Sequence, residues 1–178
     1  MLRRFMVRES NKRLVLVAMI FAVAMTFIDQ TIVAIAVPEL QKDLSLSSTG
    51  VQWVVNGYLL SLSALFAFGG RLADIAGHRR MVVIGVVGFA TASALCGATP
   101  TGDLAEPWII ACRVAQGAAA ALMFPEALAI VVASFPVRER GKAMAIFFAV
   151  TGGLTSIGAL AGGYLTTISW RCWVHSAT

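Results

Sequence analysis

The sequence has little of what metal binding, redox chemistry or a water-soluble fold requires. Only 13% of its 178 residues are charged, and two are histidine. His78 and His175 lie in a loop and a tail, and neither G-x-S-x-G nor H-E-x-x-H occurs. The nucleophile and zinc arrangements built on those spacings are therefore missing, and a hydrolase is set aside. Cys96, Cys112 and Cys172 show no C-x-x-C or metal spacing. They read as small apolar fillers. No metal and no cofactor is expected.

Apolar residues are what the chain has instead. They make up 58% of it, and the mean hydropathy is +0.82. A run of ~20 such residues spans a bilayer as a helix, and the chain has room for about five. Spans are expected near 14–37, 51–69, 81–99, 108–134 and 143–167. Residues 1–13 form a basic N-terminus and 168–178 a divergent tail. The first run is longer than a signal-peptide core, although Ala22-Val23-Ala24 offers a small-residue cleavage pattern. Four more runs follow it, so the segment is expected to stay. The net charge of +5 does not indicate nucleic acid, because the basic residues cluster in loops between apolar runs. Arg71, Arg79, Arg80, Arg138, Arg140 and Lys142 fall on the side of the basic N-terminus, against Lys42 and Arg171 on the other. The positive-inside rule then puts the N-terminus in the cytoplasm and the tail outside, in the cell membrane.

Few polar groups lie inside the spans, and they are conspicuous for that reason. Asp29 in the first costs roughly 2.5–3.5 kcal/mol on insertion scales and is a functional candidate by default. Asp29 is nine residues before Pro38, and Arg113 is six after Pro107. At ~1.5 Å per residue their depths differ by about 5 Å. An unpaired charge there is expensive, so each needs a partner or water. Asn56 and Tyr58 fit either a cavity wall or hydrogen bonding between helices. Glu126, beside Pro125, reads as a carboxylate reached by water or a nearby arginine. Gly158, Gly162 and Gly163 form a small-residue face that suits close packing of the fifth span. Gly70 is expected to end the second span, Gly77 to allow a positive φ, and Asp74 to sit just before a helix start.

Several of these stretches resemble one family. Gly70 to Arg80 resembles the loop between helices 2 and 3 of the major facilitator superfamily, G-x-L-x-D-x-x-G-[RK]-[RK]-[RK]. Ile75 and His78 stand where basic residues are common. Phe27 to Pro38 is similar to the helix-1 motif of the fourteen-helix drug/proton antiporters, L-D-x-T-I-V-N-x-A-L-P, with Ala34 in place of the Asn. Arg113-Val114-Ala115-Gln116-Gly117 resembles R-x-x-Q-G of helix 4. Gly158 to Gly163 resembles part of the helix-5 motif G-x-x-x-G-P-x-x-G-G, with Ala159 for the proline and Leu154 at the first glycine. Ser169-Trp170-Arg171 matches S-W-R-W until Cys172, the pattern that a truncation or frameshift would leave.

The resemblance implies an all-α membrane protein, the incomplete N-terminal half of a transporter made of two helical halves. The implied function is proton-coupled export of amphipathic or cationic small molecules, with lipid bilayer, protons and small-molecule substrate as partners and no nucleic acid. The other reading is a non-transporting membrane remnant, or an interaction partner of another membrane protein. The resemblance puts spans 1 and 4 along one central cavity, so Asp29 and Arg113 are expected to pair there or to share a water, and it gives them a part in proton coupling, with protonation of Asp29 releasing the arginine. It offers Gln30, Asn56, Tyr58 and Gln116 to a substrate cavity, and Gly70, Asp74, Gly77, Arg79 and Arg80 to a gating loop. That loop's acid locks against a helix of the opposite half, so the chain alone is not expected to transport.

Overall fold

Long apolar runs without water must satisfy their own backbone, and a helix does so within one segment. The computed structural model describes the backbone of residues 9–176, and the surroundings of side chains from 12 to 160. Within those bounds the chain forms α1 (Glu9–Asp43), α2 (Ser48–Ala76), α3 (His78–Gly97), α4 (Ala105–Ser134) and α5 (Val137–Ser176). Each is long and apolar enough to cross a membrane.

The helices outrun the expected spans, and the loops shrink. α1 passes through Pro38 to Asp43, where Pro38 had been expected to end the span. The residues after it, Glu39 to Lys42, are good helix formers, and Lys42 lies 3.7 Å from Glu39 one turn back. Gly70 likewise does not end α2. Gly69 lies against the Ala121 carbonyl and Ala73 is buried, so packing on α4 holds the helix to Ala76. Asp74 therefore sits in the last turn of α2, not before a helix start. The break comes at Gly77, whose φ of 95° and ψ of 129° suit glycine. Only residues 135 and 136 separate α4 from α5, where a loop to Lys142 had been expected. The expected tail is helical as far as Ser176; its side chains lie outside the described residues.

α4 is the axis of the bundle. With apolar lipid outside, close packing and polar contacts hold helices together more than water exclusion does. α4 supplies small residues for this: Gly117, Ala119, Ala120 and Ala121 are all buried. A Cβ on Gly85 of α3 would stand 2.7 Å from Met123 Cβ and 2.9 Å from the Ala119 carbonyl, so α3 meets α4 almost backbone to backbone. At one end Leu16, Ile20 and Val23 of α1 meet Ala127 and Val131 of α4 and Phe147 of α5. At the other, Leu46, Val54 and Ile109 form a smaller cluster. There the Ser47 N–H and hydroxyl donate to the Glu106 carboxylate at 2.9 and 3.1 Å. This contact ties the α1–α2 turn to the start of α4.

Candidate functional site

Past the middle of α1 and less than a third of the way along α4 the bundle encloses an ion pair. Arg113 is 2% exposed and Asp29 16%, too little for water to screen either. Arg113 Nη1 donates to Asp29 Oδ2 at 2.5 Å and to Gln116 Oε1 at 2.7 Å. Gln116 is one helical turn from Arg113, on the same face, and its Nε2 donates to Asp29 Oδ1 at 3.2 Å. Both carboxylate oxygens are thus engaged. Arg113 Nε donates to the Val54 carbonyl at 3.2 Å. A helical carbonyl has a second lone pair for this, so α2 also carries the arginine. The guanidinium lies 4.7 Å from the centre of the Tyr58 ring, within cation–π range. Cys96 Sγ closes the set against Gln116 Oε1 at 3.5 Å. Helices α1, α2, α3 and α4 all contribute.

Chemically this is an ion pair without net charge, hydrogen-bonded at both carboxylate oxygens. An apolar cavity of about 870 Å³ lies on the other side of Asp29, lined by Phe21, Met25 and Ile28 of α1, Val86 and Phe89 of α3, and Leu154 of α5.

Of the residues singled out from sequence, the structure brings Asp29, Arg113, Gln116 and Tyr58 together. Gln30 lies beside them on α1, lining a smaller cavity with Tyr58. Asn56 is not brought in: it is exposed on α2. Gly158 is packed tightly, since a Cβ there would stand 3.1 Å from Ile28 Cα. This seats α5 on α1 next to Asp29. Gly162 and Gly163 lie in α5 beyond the residues whose surroundings are described. Gly70, Asp74, Gly77, Arg79 and Arg80 cluster at one end of the bundle, where Asp74, Arg79 and Arg80 are exposed and make no ion pair among the described residues.

One pair escaped the sequence. Glu126 on α4 is 2% exposed, and its Oε2 meets His78 Nδ1 at the start of α3. The cost of an intramembrane carboxylate does single out Glu126. Its partner was expected to be an arginine or water, and the histidine was placed in the loop. Because α3 begins at His78 rather than near Met81, the imidazole starts a helix packed on α4.

A bundle of membrane-length helices that shields an ion pair in its interior is a multi-pass membrane protein. Its sequence matches the profile of the Major Facilitator Superfamily over residues 19–175, and the chain belongs to that family. The match continues beyond Arg171, where the resemblance had been expected to stop. Among curated relatives, the chain is similar to a puromycin resistance protein of Streptomyces alboniger, 41% identical over 158 residues, 88% of this chain and 31% of the relative. It is 41% identical over 157 residues to the tetracenomycin C resistance and export protein of Streptomyces glaucescens, covering 88% and 28% of the two. An uncharacterized transporter of the same superfamily from Mycobacterium tuberculosis is 37% identical over 144 residues, 80% of this chain and 26% of that protein. The chain therefore spans less than a third of the length of these relatives.

Proposed function

We propose that the chain forms the N-terminal part of a proton-driven exporter of small amphipathic molecules in the cell membrane, with its N-terminus in the cytoplasm. The Asp29–Arg113 pair carries this reading. It is a buried, titratable contact between α1 and α4, strong enough to hold one packing and cancelled by one proton. A proton arriving at Asp29 frees Arg113 and shifts the balance between two arrangements of the bundle. Names of relatives that specify resistance to puromycin, and resistance to and export of tetracenomycin C, support outward movement of small organic compounds. In the superfamily's architecture the site lies between two helical halves, so this chain supplies one wall of it.

The test uses the whole transporter in proton-tight vesicles. Asp29→Asn is expected to leave substrate exchange in place while abolishing its dependence on an imposed pH gradient. Export that still follows the gradient in this variant would rule out the coupling role.

A further inference from the structure

The starts of α1 and α5 stand side by side at one end of the bundle, where both meet the end of α4. Between them lies a cavity of about 420 Å³ that shares no residue with the site around Asp29. Lys12 and Arg13 of α1 and Lys142 of α5 line it. Arg13 and Lys142 are exposed and Lys12 is half-buried. Among the described residues, none of the three side chains forms an ion pair or a hydrogen bond. Cations gathered around one cavity repel one another, and an anion between them turns that repulsion into attraction. Retention of a chain end in the cytoplasm needs only the number of basic residues. Convergence of three of them, from two helices, on one cavity is a further feature.

The groups that would oppose an anion are few. One carboxylate, Glu139, shares the lining. It stands in the first turn of α5, where the helix dipole favours a negative charge. Three cations against this one carboxylate leave the lining at +2. The carbonyl of Phe135, which closes α4, accepts from Arg140 Nε at 3.1 Å and is not left to face the cavity. The lining is also sorted by depth. Leu16 lies one turn past Lys12 along α1, and Ile146 one turn past Lys142 along α5. Both helices run inward from this end, so charge rims the mouth and apolar side chains form the floor. Ile146 is 40% exposed, and the floor is open to its surroundings there. A small phosphate ester gains nothing from such a floor, whereas one that carries acyl chains does.

We propose that this cavity binds the headgroup of an anionic phospholipid, with its phosphodiester on Lys12, Arg13 and Lys142 and the start of its acyl chains on Leu16, Phe135 and Ile146. Basic pockets between membrane helices suit such headgroups, and the volume is that of a small-molecule site. Glu139 accepts from a headgroup hydroxyl, which favours phosphatidylglycerol. Phosphatidylethanolamine offers Glu139 an ammonium but brings no net charge to a lining of +2. Lipid in this place bridges the first turns of α1 and α5. Its assignment to the cytoplasmic leaflet rests on the orientation proposed above. The binding itself requires neither that orientation nor proton coupling.

The test titrates the full 178-residue chain in neutral detergent micelles and counts bound lipid by native mass spectrometry. The probes are phosphatidylglycerol, phosphatidylethanolamine and phosphatidylcholine with the same acyl chains, and glycerophosphoglycerol, the first headgroup without chains. Phosphatidylglycerol is expected to bind at least about fivefold more tightly than either other lipid, and glycerophosphoglycerol far more weakly than the lipid. Lys12→Gln and Lys142→Gln should each weaken phosphatidylglycerol about fivefold, the worth of one basic residue near a membrane surface, and leave phosphatidylcholine unchanged. Arg71→Gln removes an exposed cation that does not line the cavity and should change neither. Equal binding of the three lipids, tightest binding of phosphatidylethanolamine, or no binding of any overturns the proposal. Glycerophosphoglycerol bound as tightly as the lipid would make this a site for soluble phosphate esters. A loss in Arg71→Gln as large as that in Lys12→Gln would mean diffuse charge attraction and no site. The ranking in the unmodified chain decides the matter even where a variant folds poorly. Export that still follows the gradient in Asp29→Asn removes the coupling role and leaves this site standing.

Discussion

At the scale of single residues, two side-chain contacts made by buried groups differ in what holds them. Arg113 has Asp29, Gln116, the Val54 carbonyl and the Tyr58 ring. Removing one charge strands the other in a medium that solvates neither, which typically costs about 3–5 kcal/mol. Removing both leaves no unpaired charge, only a packing defect and the Gln116 amide without these partners. Asp29→Leu and Arg113→Leu are each expected to destabilise the bundle by about that amount, and the double variant by clearly less than their sum. Reversible unfolding in mixed micelles measures the cycle; additive losses would show that the pair contributes nothing as a pair. Glu126 has fewer supports, since His78 is the one side chain bonded to it among the described residues. His78→Ala should therefore cost about 1–3 kcal/mol as a buried acceptor loses its donor, and His78→Arg should restore most of it. A melting temperature unmoved by His78→Ala would mean that water already serves Glu126.

At the scale of elements, neighbouring glycines have opposite duties. Gly70 is inside α2, and the nearest atom to a Cβ placed there is Glu126 Oε1 at 4.0 Å. Alanine fits that space, and the helix gains from losing a flexible residue. Gly70→Ala is expected to be neutral or to stabilise by up to about 1 kcal/mol. Gly77 has open space around it but a φ of 95°, a conformation that a side chain resists. Gly77→Ala is expected to cost about 1–3 kcal/mol. Thermal unfolding of the two variants side by side reads the contrast. A loss at Gly70 larger than that at Gly77 would move the break between α2 and α3 back to where the sequence pattern had suggested it. The α2–α3 junction as observed is one residue wide, so strain at Gly77 is passed directly to His78 and its contact with Glu126.

At the scale of the molecule, the two ends differ in charge. Leu16, Val131 and Ala143 share one cluster, which puts the start of α1, the end of α4 and the start of α5 at one end. The His78–Glu126 contact puts the α2–α3 junction there too. That end carries Lys12, Arg13, Arg71, Arg79, Arg80, Arg138, Arg140 and Lys142. The opposite end carries Lys42 among the acids Glu39, Asp43, Asp103 and Glu106. Basic residues near helix ends are retained in the cytoplasm. Reporter fusions after Arg80 and Lys142 are therefore expected to read cytoplasmic, and one after Asp103 external. The reverse set of signals would invert the proposed orientation.

Much of this was legible before any fold was known. Apolar runs of membrane length determine helices, because no other open structure satisfies a backbone in lipid. Counting residues from Pro38 and Pro107 placed Asp29 and Arg113 at matching depth, because helical rise is constant. Helix ends were less legible. Gly70 and Pro38 are breakers by local rule, yet contact with α4 carries α2 past Gly70, and good helix formers carry α1 past Pro38. Lateral neighbours were illegible altogether. Depth says how far along a helix a side chain lies, and leaves open which helix stands beside it. That Asn56 faces outward while Tyr58 lies under Arg113, that His78 reaches Glu126, and that Lys12 and Lys142 line one cavity were decided only by the tertiary structure. Rotation and neighbour choice depend on small residues such as Gly85, Gly117 and Gly158 fitting particular backbones, and that fit exists only once the helices are assembled.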